Sequence, residues 1–320
     1  MFSWWGNDTS IYFPNLGIRL ANIPRGFSIS GFTIAFYGIC IAIGMIGGIL
    51  MAQWQAKRSG QDPEDYLDFA LWAIPISVVG ARLYSVAFEW DYYKNDLSEI
   101  FNLRNGGLAI YGGVIAAILT AFVYSRIKKI NMGLLTDTGI LGMLVGQICG
   151  RWGNFFNREC FGNYTDSLFA MQIEVTDSNL SSYFKPSVIS DSRLAQLYAG
   201  KERALEAISE IRNNLALSVD GTTCIQVQPT FLYESLWNLA LLIILICVWK
   251  YKKFDGEILL LYLFGYGLGR SWIEGLRTDQ LFLWNTGIAV SQLLSMLLVV
   301  GSAVLILILR TRAIRKKSMV

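Results

Sequence analysis

Residues 32–54 read FTIAFYGICIAIGMIGGILMAQW, a run that contains no Asp, Glu, Lys or Arg. About 20 consecutive apolar residues are enough for a helix to cross the ~30 Å hydrocarbon core of a bilayer. Lys57 and Arg58 follow the run almost at once, and basic residues gather on the cytoplasmic side of membrane helices. The stretch therefore predicts a transmembrane helix that starts outside the cell and ends at the cytoplasm.

Six further stretches resemble the first in length and hydropathy. The chain is 53% hydrophobic and only 16% charged, whereas about a quarter of the residues in a soluble domain are charged. Each stretch is long enough to span a bilayer, and they lie near residues 67–88, 106–125, 132–150, 231–249, 256–274 and 286–309. The sequence therefore predicts an all-α integral membrane protein with seven transmembrane helices.

The charges of the loops predict the orientation of these helices. Basic residues follow the first, third, fifth and seventh predicted helices, namely Lys57, Arg58, Arg126, Lys128, Lys129, Lys250, Lys252, Lys253, Arg310, Arg312, Arg315, Lys316 and Lys317. Because cytoplasmic loops carry the excess of Lys and Arg, we expect the N-terminus outside and the C-terminus in the cytoplasm. Residues 1–310 would form the membrane domain, and residues 311–320 a basic cytoplasmic tail.

One long polar segment, residues 163–228, separates the fourth predicted helix from the fifth. Within it, residues 192–217 combine helix-forming residues with spaced apolar positions, which predicts one or two amphipathic helices. We expect an extracytoplasmic insertion, either a small cap or a surface that contacts the membrane or a substrate. Cys160 lies just before this segment and Cys224 near its end, and the sequence leaves open whether they form a disulfide.

The residue types that are absent narrow the chemistry. The chain has no histidine, which excludes catalysis by a serine–histidine pair and metals bound by histidine. Its five cysteines include no Cys-x-x-Cys pair, so we expect no metal site and no cofactor. Any acid–base group must then be Glu, Asp, Tyr, Lys, Cys or a group on the substrate.

Arginines inside apolar stretches are the strongest functional signal, because a charge in a bilayer is costly. They are Arg82, Arg151, Arg270 and, near a helix end, Arg277. Arg151 lies in GQICGRWGNFFNRECFG (residues 146–162), where Asn154 follows three positions later and shares its helical face. An arginine fork beside an amide suits a phosphate or a carboxylate. An interhelical salt bridge explains this segment about as well.

A second polar stripe lies in GYGLGRSWIEGLR (residues 265–277). Tyr266, Arg270 and Glu274 recur every four residues and therefore share one face of a helix, with Arg277 near it. Glu234 lies about one turn inside another predicted helix, where it could meet an arginine, and a purely structural ion pair fits that pattern equally well. Because both arginine stripes fall near the outer leaflet, an anionic ligand is the better explanation for them.

The chain resembles the prolipoprotein diacylglyceryl transferase family. Besides the two segments above, NGGLAIYGG (residues 105–113), QPTFLYE (residues 228–234) and Phe36-Tyr37-Gly38 occur in the order expected of that family. The resemblance extends from about Ser30 to Arg310. It implies a seven-helix enzyme of the bacterial cytoplasmic membrane that opens sideways to the lipid. Its substrates would be phosphatidylglycerol and preprolipoproteins that carry a lipobox cysteine, and glycerol 1-phosphate would be released.

The resemblance also implies roles for individual residues. Arg151 and Arg270 would bind the phosphate and be essential for catalysis, and Glu159 and Tyr111 would complete the catalytic group. The expected substrate-binding residues are Tyr37, Asn154, Gly162, Glu234, Tyr266, Glu274 and Arg277. Many relatives have histidine where this chain has Tyr111. Either Tyr111 assists the proton transfer with help from a nearby arginine, or this position does not hold the base.

Other classes of protein fit the sequence less well. A phospholipid-binding or transporting membrane protein without transferase activity would have the same polar stripes, but such transporters are often built from internal repeats, and none is evident. An intramembrane protease lacks support, because the chain has no histidine for a catalytic dyad and no paired aspartates in its apolar stretches. Only Tyr111 suggests a family member that has lost its activity.

Overall fold

The computed structural model describes residues 2–6, 9–103, 106–175, 201–218, 221–278 and 289–318. The helices of this part include α1 (Phe36–Arg58), α2 (Glu64–Phe88), α3 (Ile110–Lys128), α4 (Met132–Asn157), α5 (Lys201–Asn213), α6 (Thr230–Val248), α7 (Glu257–Leu276) and α8 (Val290–Ser318). All of these except α5 have 19 residues or more. Each of the seven long helices overlaps one of the seven predicted apolar stretches, so the described part of the chain is mostly helical, as expected. Residues 286–288 of the last stretch lie outside the described residues.

Six of the described helices are long and apolar enough to cross a membrane. They are α1, α2, α3, α4, α6 and α8. The remaining long helix, α7, has 20 residues but carries Glu257, Arg270 and Glu274, which lower its hydropathy. Several apolar helices of this length indicate a multi-pass membrane protein.

Two antiparallel sheets correct the expectation of an all-α protein. The first has the order β1-β4-β5 and is formed by β1 (Phe2–Trp5), β4 (Gly26–Ile29) and β5 (Phe32–Ala35). The second has the order β3-β2-β6-β8-β7 and is formed by β2 (Ile11–Phe13), β3 (Ile18–Leu20), β6 (Met171–Glu174), β7 (Ala216–Leu217) and β8 (Thr223–Val227). Residues 32–35, which were expected to start the first transmembrane helix, are strand β5, and α1 begins at Phe36.

The second sheet joins the N-terminal segment to the polar segment between α4 and α6. Ile11 on β2 pairs with Ile173 on β6, which pairs with Ile225 on β8. These three residues and Ile211 of α5 are completely buried and share one hydrophobic core. The extramembrane sheet is therefore built from both segments: residues 163–228 contribute β6, β7 and β8, and the N-terminal segment contributes β2 and β3. α5 is one of the predicted amphipathic helices, and residues 192–200 of that prediction lie outside the described residues.

Cys160 and Cys224, which the structure describes, form no disulfide with each other. Cys160 lies just after α4, where its Sγ is 3.7 Å from Asn154 Nδ2. Cys224 is completely buried on β8, and its thiol donates a long hydrogen bond to the carbonyl of Thr222. The packed core of the sheet therefore holds the two segments together without a link between these two cysteines.

Close packing of α1 against α4 forms the centre of the helical bundle. A Cβ atom on Gly48 would lie 2.6 Å from the carbonyl oxygen of Gly142, so the two backbones approach as only glycine allows. At the end of the bundle opposite the sheets, α2 and α3 join α1 and α4 through a buried cluster that includes Tyr66, Tyr124 and Leu135. A cavity lies between the helices and extends from the sheet side to this cluster.

Candidate active site

Glu234 holds two arginines that are distant in the sequence. Pro229 precedes the first residue of α6, which places Glu234 one turn inside that helix, where it is 5% exposed. Its Oε2 pairs with Arg151 Nε of α4, and its Oε1 accepts a hydrogen bond from Arg270 Nη1 of α7 at 2.6 Å. Arg270 Nη2 also pairs with Glu274 Oε2 at 2.5 Å, one turn along α7. The two arginine stripes therefore meet at one carboxylate.

The two guanidinium groups are only partly satisfied by these carboxylates. The side chains of Arg151 and Arg270 are 23% and 16% exposed, and both line the cavity. The ion pair of Arg151 with Glu234 is made through Nε, and no described residue accepts a hydrogen bond from the Nη atoms of Arg151. A guanidinium whose terminal N–H groups face a cavity is well suited to bind phosphate oxygens.

The end of α4 places a further carboxylate, Glu159, on the cavity that Arg151 lines. Arg158 adopts a left-handed conformation (φ 58°) that ends the helix, and the chain turns so that Glu159 N donates to Asn154 O at 3.1 Å. Glu159 Oε1 then accepts hydrogen bonds from Asn154 Nδ2 at 3.0 Å and from Asn157 Nδ2 at 3.1 Å. Asn154 thus orients Glu159, and both side chains line the cavity.

The cavity has a volume of about 870 Å³, with a polar end and a long apolar part. The candidate site residues that line the polar end are Tyr37, Arg151, Asn154, Glu159, Tyr266, Arg270 and Arg277. From Arg151 the lining continues along α4 to Gly139, a distance of roughly 18 Å at ~1.5 Å per helical residue. Ile41, Phe69 and Met143 are among its apolar residues. This shape suits an amphiphile with an anionic head.

Two tyrosines shape the polar end of the cavity. Tyr37 packs on α4 at Gly153, where a Cβ atom would lie 2.5 Å from its ring. Tyr266 stacks on Tyr262 with ring centroids 5.3 Å apart, and the hydroxyl of Tyr262 accepts a hydrogen bond from Gln147 Nε2 at 2.9 Å. Tyr37 and Tyr266, two of the three tyrosines of the expected site, therefore lie where a ligand in the cavity would contact them.

Gly162 contacts Arg277 and does not line the cavity. The two residues form an antiparallel bridge, and Gly162 N donates to Gln228 O at 2.9 Å. A Cβ atom on Gly162 would lie 2.8 Å from the carbonyl oxygen of Leu276. The small residue therefore allows the segment after α4 to pack against the end of α7, beyond which Arg277 lines the cavity.

Tyr111 was expected in the catalytic group, and the structure places it next to the cavity lining rather than in it. It lies in the first turn of α3 and is 46% exposed. It is not among the residues that line the cavity, although its neighbour Ile110 is. Glu234 and Glu274 lie behind the arginines rather than on the cavity surface, and they are 5% and 4% exposed.

Two amides that line the cavity were not predicted from the sequence. Asn238 is 3% exposed and lies one turn after Glu234 on α6, so the four-residue spacing from Glu234 could have identified it. Gln147 lies one turn before Arg151 on the same face of α4. Within the described residues, no cluster of His, Cys, Asp and Glu has the geometry of a metal site.

Known proteins are similar in sequence to this chain along most of its length. The family model described as prolipoprotein diacylglyceryl transferase matches residues 24–308. The phosphatidylglycerol–prolipoprotein diacylglyceryl transferase of Listeria monocytogenes serotype 4b (strain CLIP80459) is 39% identical over 289 residues, which cover 90% of each chain. The enzyme of the same name from Clostridioides difficile (strain 630) is 37% identical over 278 residues, 87% of this chain and 92% of that one. This chain therefore belongs to the prolipoprotein diacylglyceryl transferase family.

Proposed function

We propose that this protein transfers the diacylglyceryl group of phosphatidylglycerol to the lipobox cysteine of a prolipoprotein and releases glycerol 1-phosphate. The observation that carries the proposal is the pairing of Arg151 and Arg270 on Glu234 at the polar end of an otherwise apolar cavity. A phospholipid has the same division into an anionic head and apolar chains. The two relatives named above match 90% and 87% of this chain, and both are phosphatidylglycerol–prolipoprotein diacylglyceryl transferases.

The nucleophile in this mechanism belongs to the substrate. The cysteine thiolate attacks the glycerol carbon that bears the phosphate ester, so that a carbon–sulfur bond forms while the carbon–oxygen bond breaks. The electron pair of that bond leaves with glycerol 1-phosphate, whose phosphate gains negative charge. Arg151 and Arg270 stabilise this charge more strongly in the transition state than in the ground state, which is the condition for catalysis. Nearby arginines also favour the thiolate.

Glu159 is the better placed of the two candidate groups for the thiol proton. Its carboxylate lines the cavity, and the amides of Asn154 and Asn157 fix one of its oxygens. Tyr111 lies outside that lining. A general base must come within hydrogen-bond reach of the proton that it removes, and a group on the cavity surface meets this condition more readily.

The proposal includes the placement of the chain in the bacterial cytoplasmic membrane. We infer seven crossings, in which α7 joins the six more apolar helices because its buried charges are paired: Glu257 with Arg310, and Arg270 with Glu234 and Glu274. The N-terminus and both sheets would lie outside, since the basic residues collect at the opposite ends of the helices. Residues 1–310 would be the catalytic domain with 163–228 as an extracytoplasmic head. Because α8 continues to Ser318, the basic tail from residue 311 would extend that helix.

The direct test is a mass-spectrometric transfer assay with purified protein, phosphatidylglycerol and a peptide that carries a lipobox cysteine. We expect a diacylglyceryl mass on the cysteine and its loss in Arg151→Ala and Arg270→Ala. Arg126→Ala is the matched control, because Arg126 is an exposed arginine at the end of α3. A folded wild-type protein that binds phosphatidylglycerol and modifies no peptide would overturn the proposal in favour of a lipid-binding protein.

A further inference from the structure

Arg82, an arginine of α2 that the phosphate-binding pair does not include, is 6% exposed. Its guanidinium has five N–H groups, and they make five hydrogen bonds, all to backbone carbonyls. Nε donates to Ile100 at 2.8 Å, Nη1 to Gly106 at 2.7 Å and to Gly107 at 2.9 Å, and Nη2 to Asn102 at 2.9 Å and to Glu99.

All five carbonyls belong to one segment, residues 89–109, which joins α2 to α3 and is called the arm below. Residues 104 and 105 of the arm lie outside the described residues. The ring of Tyr93, also in the arm, has its centroid 5.0 Å from Arg82 Cζ. A buried guanidinium is tolerated when its donors are satisfied, and here the arm satisfies them. Arg82 therefore holds backbone rather than a ligand.

The last residues of the arm are shaped to receive this guanidinium. Gly106 and Gly107 have φ values of 84° and 72°, which side chains rarely adopt. A Cβ atom on Gly107 would also collide with Arg82 Nη1. Two residues later, Ala109 N donates to Ala81 O of α2 at 3.1 Å. The end of the arm is thus attached to α2 on both sides of Leu108.

This attachment determines where α3 begins. Ile110, the first residue of α3, follows Ala109 directly; it is 80% exposed and lines the cavity that contains Arg151 and Arg270. We propose that Arg82 is a positioning residue for the transfer reaction, because it fixes the arm on α2 and so places Ile110 at the edge of the cavity. This inference rests on the proposed function, since its kinetic effect requires transfer to occur.

Lysine cannot replace Arg82 in this role. Its ammonium group has three donors at one point, whereas the planar guanidinium reaches carbonyls of five residues at once. In Arg82→Lys we expect kcat/KM for phosphatidylglycerol to fall roughly 10- to 100-fold, the range that follows from a displacement of about 1 Å near a reacting group. Hydrogen exchange of arm amides should become faster while the amides of α4 and α6 keep their protection.

Gly107→Ala tests the same attachment from the opposite side. It should lower kcat/KM by a similar factor, and the double variant Arg82→Lys/Gly107→Ala should lose little more than either single variant, because both disrupt one element. Arg126→Lys is the matched control. Arg126 is exposed near the last residue of α3, at the end of this helix that does not adjoin the arm, so this variant should keep the kinetics of the wild type.

These experiments distinguish a failure of the positioning role of Arg82 from a failure of the proposed transfer activity. Wild-type kcat/KM in a folded Arg82→Lys protein would overturn the positioning role, as would losses that multiply in the double variant. So would an activity loss equal to the loss of folded protein, which indicates a purely structural residue. If the wild type transfers no lipid, the proposed function fails instead. Hydrogen exchange of the arm then still decides whether Arg82 holds it.

Discussion

Glu234 bonds Arg270 through one carboxylate oxygen, at 2.6 Å, and leaves its other oxygen for Arg151. One buried carboxylate therefore sets the spacing of two guanidinium groups that come from different helices. Removal of one partner from a buried ion pair leaves an uncompensated charge, which typically costs about 3–5 kcal/mol. The geometry of the site thus depends on Glu234 even though this residue does not line the cavity.

We expect Glu234→Gln to lower kcat/KM by at least about 100-fold, equivalent to roughly 3 kcal/mol. A neutral amide can accept from one arginine through its oxygen, but its NH₂ group then faces the N–H groups of the other. The transfer assay measures this, with Glu206→Gln as the control because Glu206 is exposed on α5. Wild-type activity in Glu234→Gln would show that the arginines keep their places without the carboxylate.

The roles of Glu159 and Tyr111 can be separated by two isosteric substitutions. We expect Glu159→Gln to lower kcat by about 10²- to 10⁴-fold, the usual contribution of a general base, and Tyr111→Phe to change it only a few-fold. The reason is position, since only Glu159 lines the cavity. Single-turnover rates with a lipobox peptide would decide between them. A larger loss of kcat in Tyr111→Phe than in Glu159→Gln would indicate that Tyr111, not Glu159, is the general base.

Gly162→Ala should reduce activity through Arg277. The new methyl group would lie 2.8 Å from Leu276 O and 2.9 Å from Gln228 Cβ, so the end of α7 must shift. Crowding of this kind usually costs about 1–3 kcal/mol in the free energy of unfolding. The melting temperature and kcat/KM should both decrease, whereas Gly301→Ala, with open space around its Cβ and a better helix-forming residue in α8, should lower neither. An unaffected Gly162→Ala protein would argue against the bridge to Arg277.

Chemical reactivity should distinguish the cysteines. Burial, with a smaller contribution from the charge of Glu174, raises the pKa of the Cys224 thiol from 9.0 to about 11. Because the thiolate is the reactive form, alkylation of Cys224 in the folded protein should be slow at pH 8 and accelerate as the pH approaches 11. The same protein unfolded in detergent is the reference. Rapid alkylation at pH 8, or a mass that indicates a Cys160–Cys224 disulfide, would contradict the structure.

The long helices were predictable because each needs only a run of apolar residues, and hydropathy detects such a run directly. The meeting of Arg151, Glu234 and Arg270 was also accessible, since buried charges in a membrane helix require partners. The sheets were not predicted, because strands of two to five residues give almost no periodic signal, and the second sheet pairs Ile11 with Ile173, which lies about half the chain away. Tyr111 was expected in the site from its motif alone, and a motif does not fix the distance to the cavity.

Asp137 offers a test of how the helix that carries Arg270 is held at its far end. Its buried carboxylate accepts hydrogen bonds from Gly256 N and Leu259 N, both at 2.9 Å, and so caps the first turn of α7 from α4. Lys252 Nζ lies 3.2 Å from the same carboxylate and 3.0 Å from Asp255, which is 38% exposed. Loss of a helix cap costs about 1 kcal/mol, and an unsatisfied buried group adds about 1–3 kcal/mol.

We therefore expect Asp137→Ala to lower the melting temperature by several degrees, since about 1 kcal/mol corresponds to roughly 2–4 °C in a chain somewhat smaller than this one. Asp255→Ala removes a partly exposed ion pair to the same lysine and should have a much smaller effect. Thermal unfolding of both variants in the same detergent makes the comparison. Equal shifts would mean that the charge of Lys252, rather than the cap on α7, accounts for the stability that Asp137 contributes.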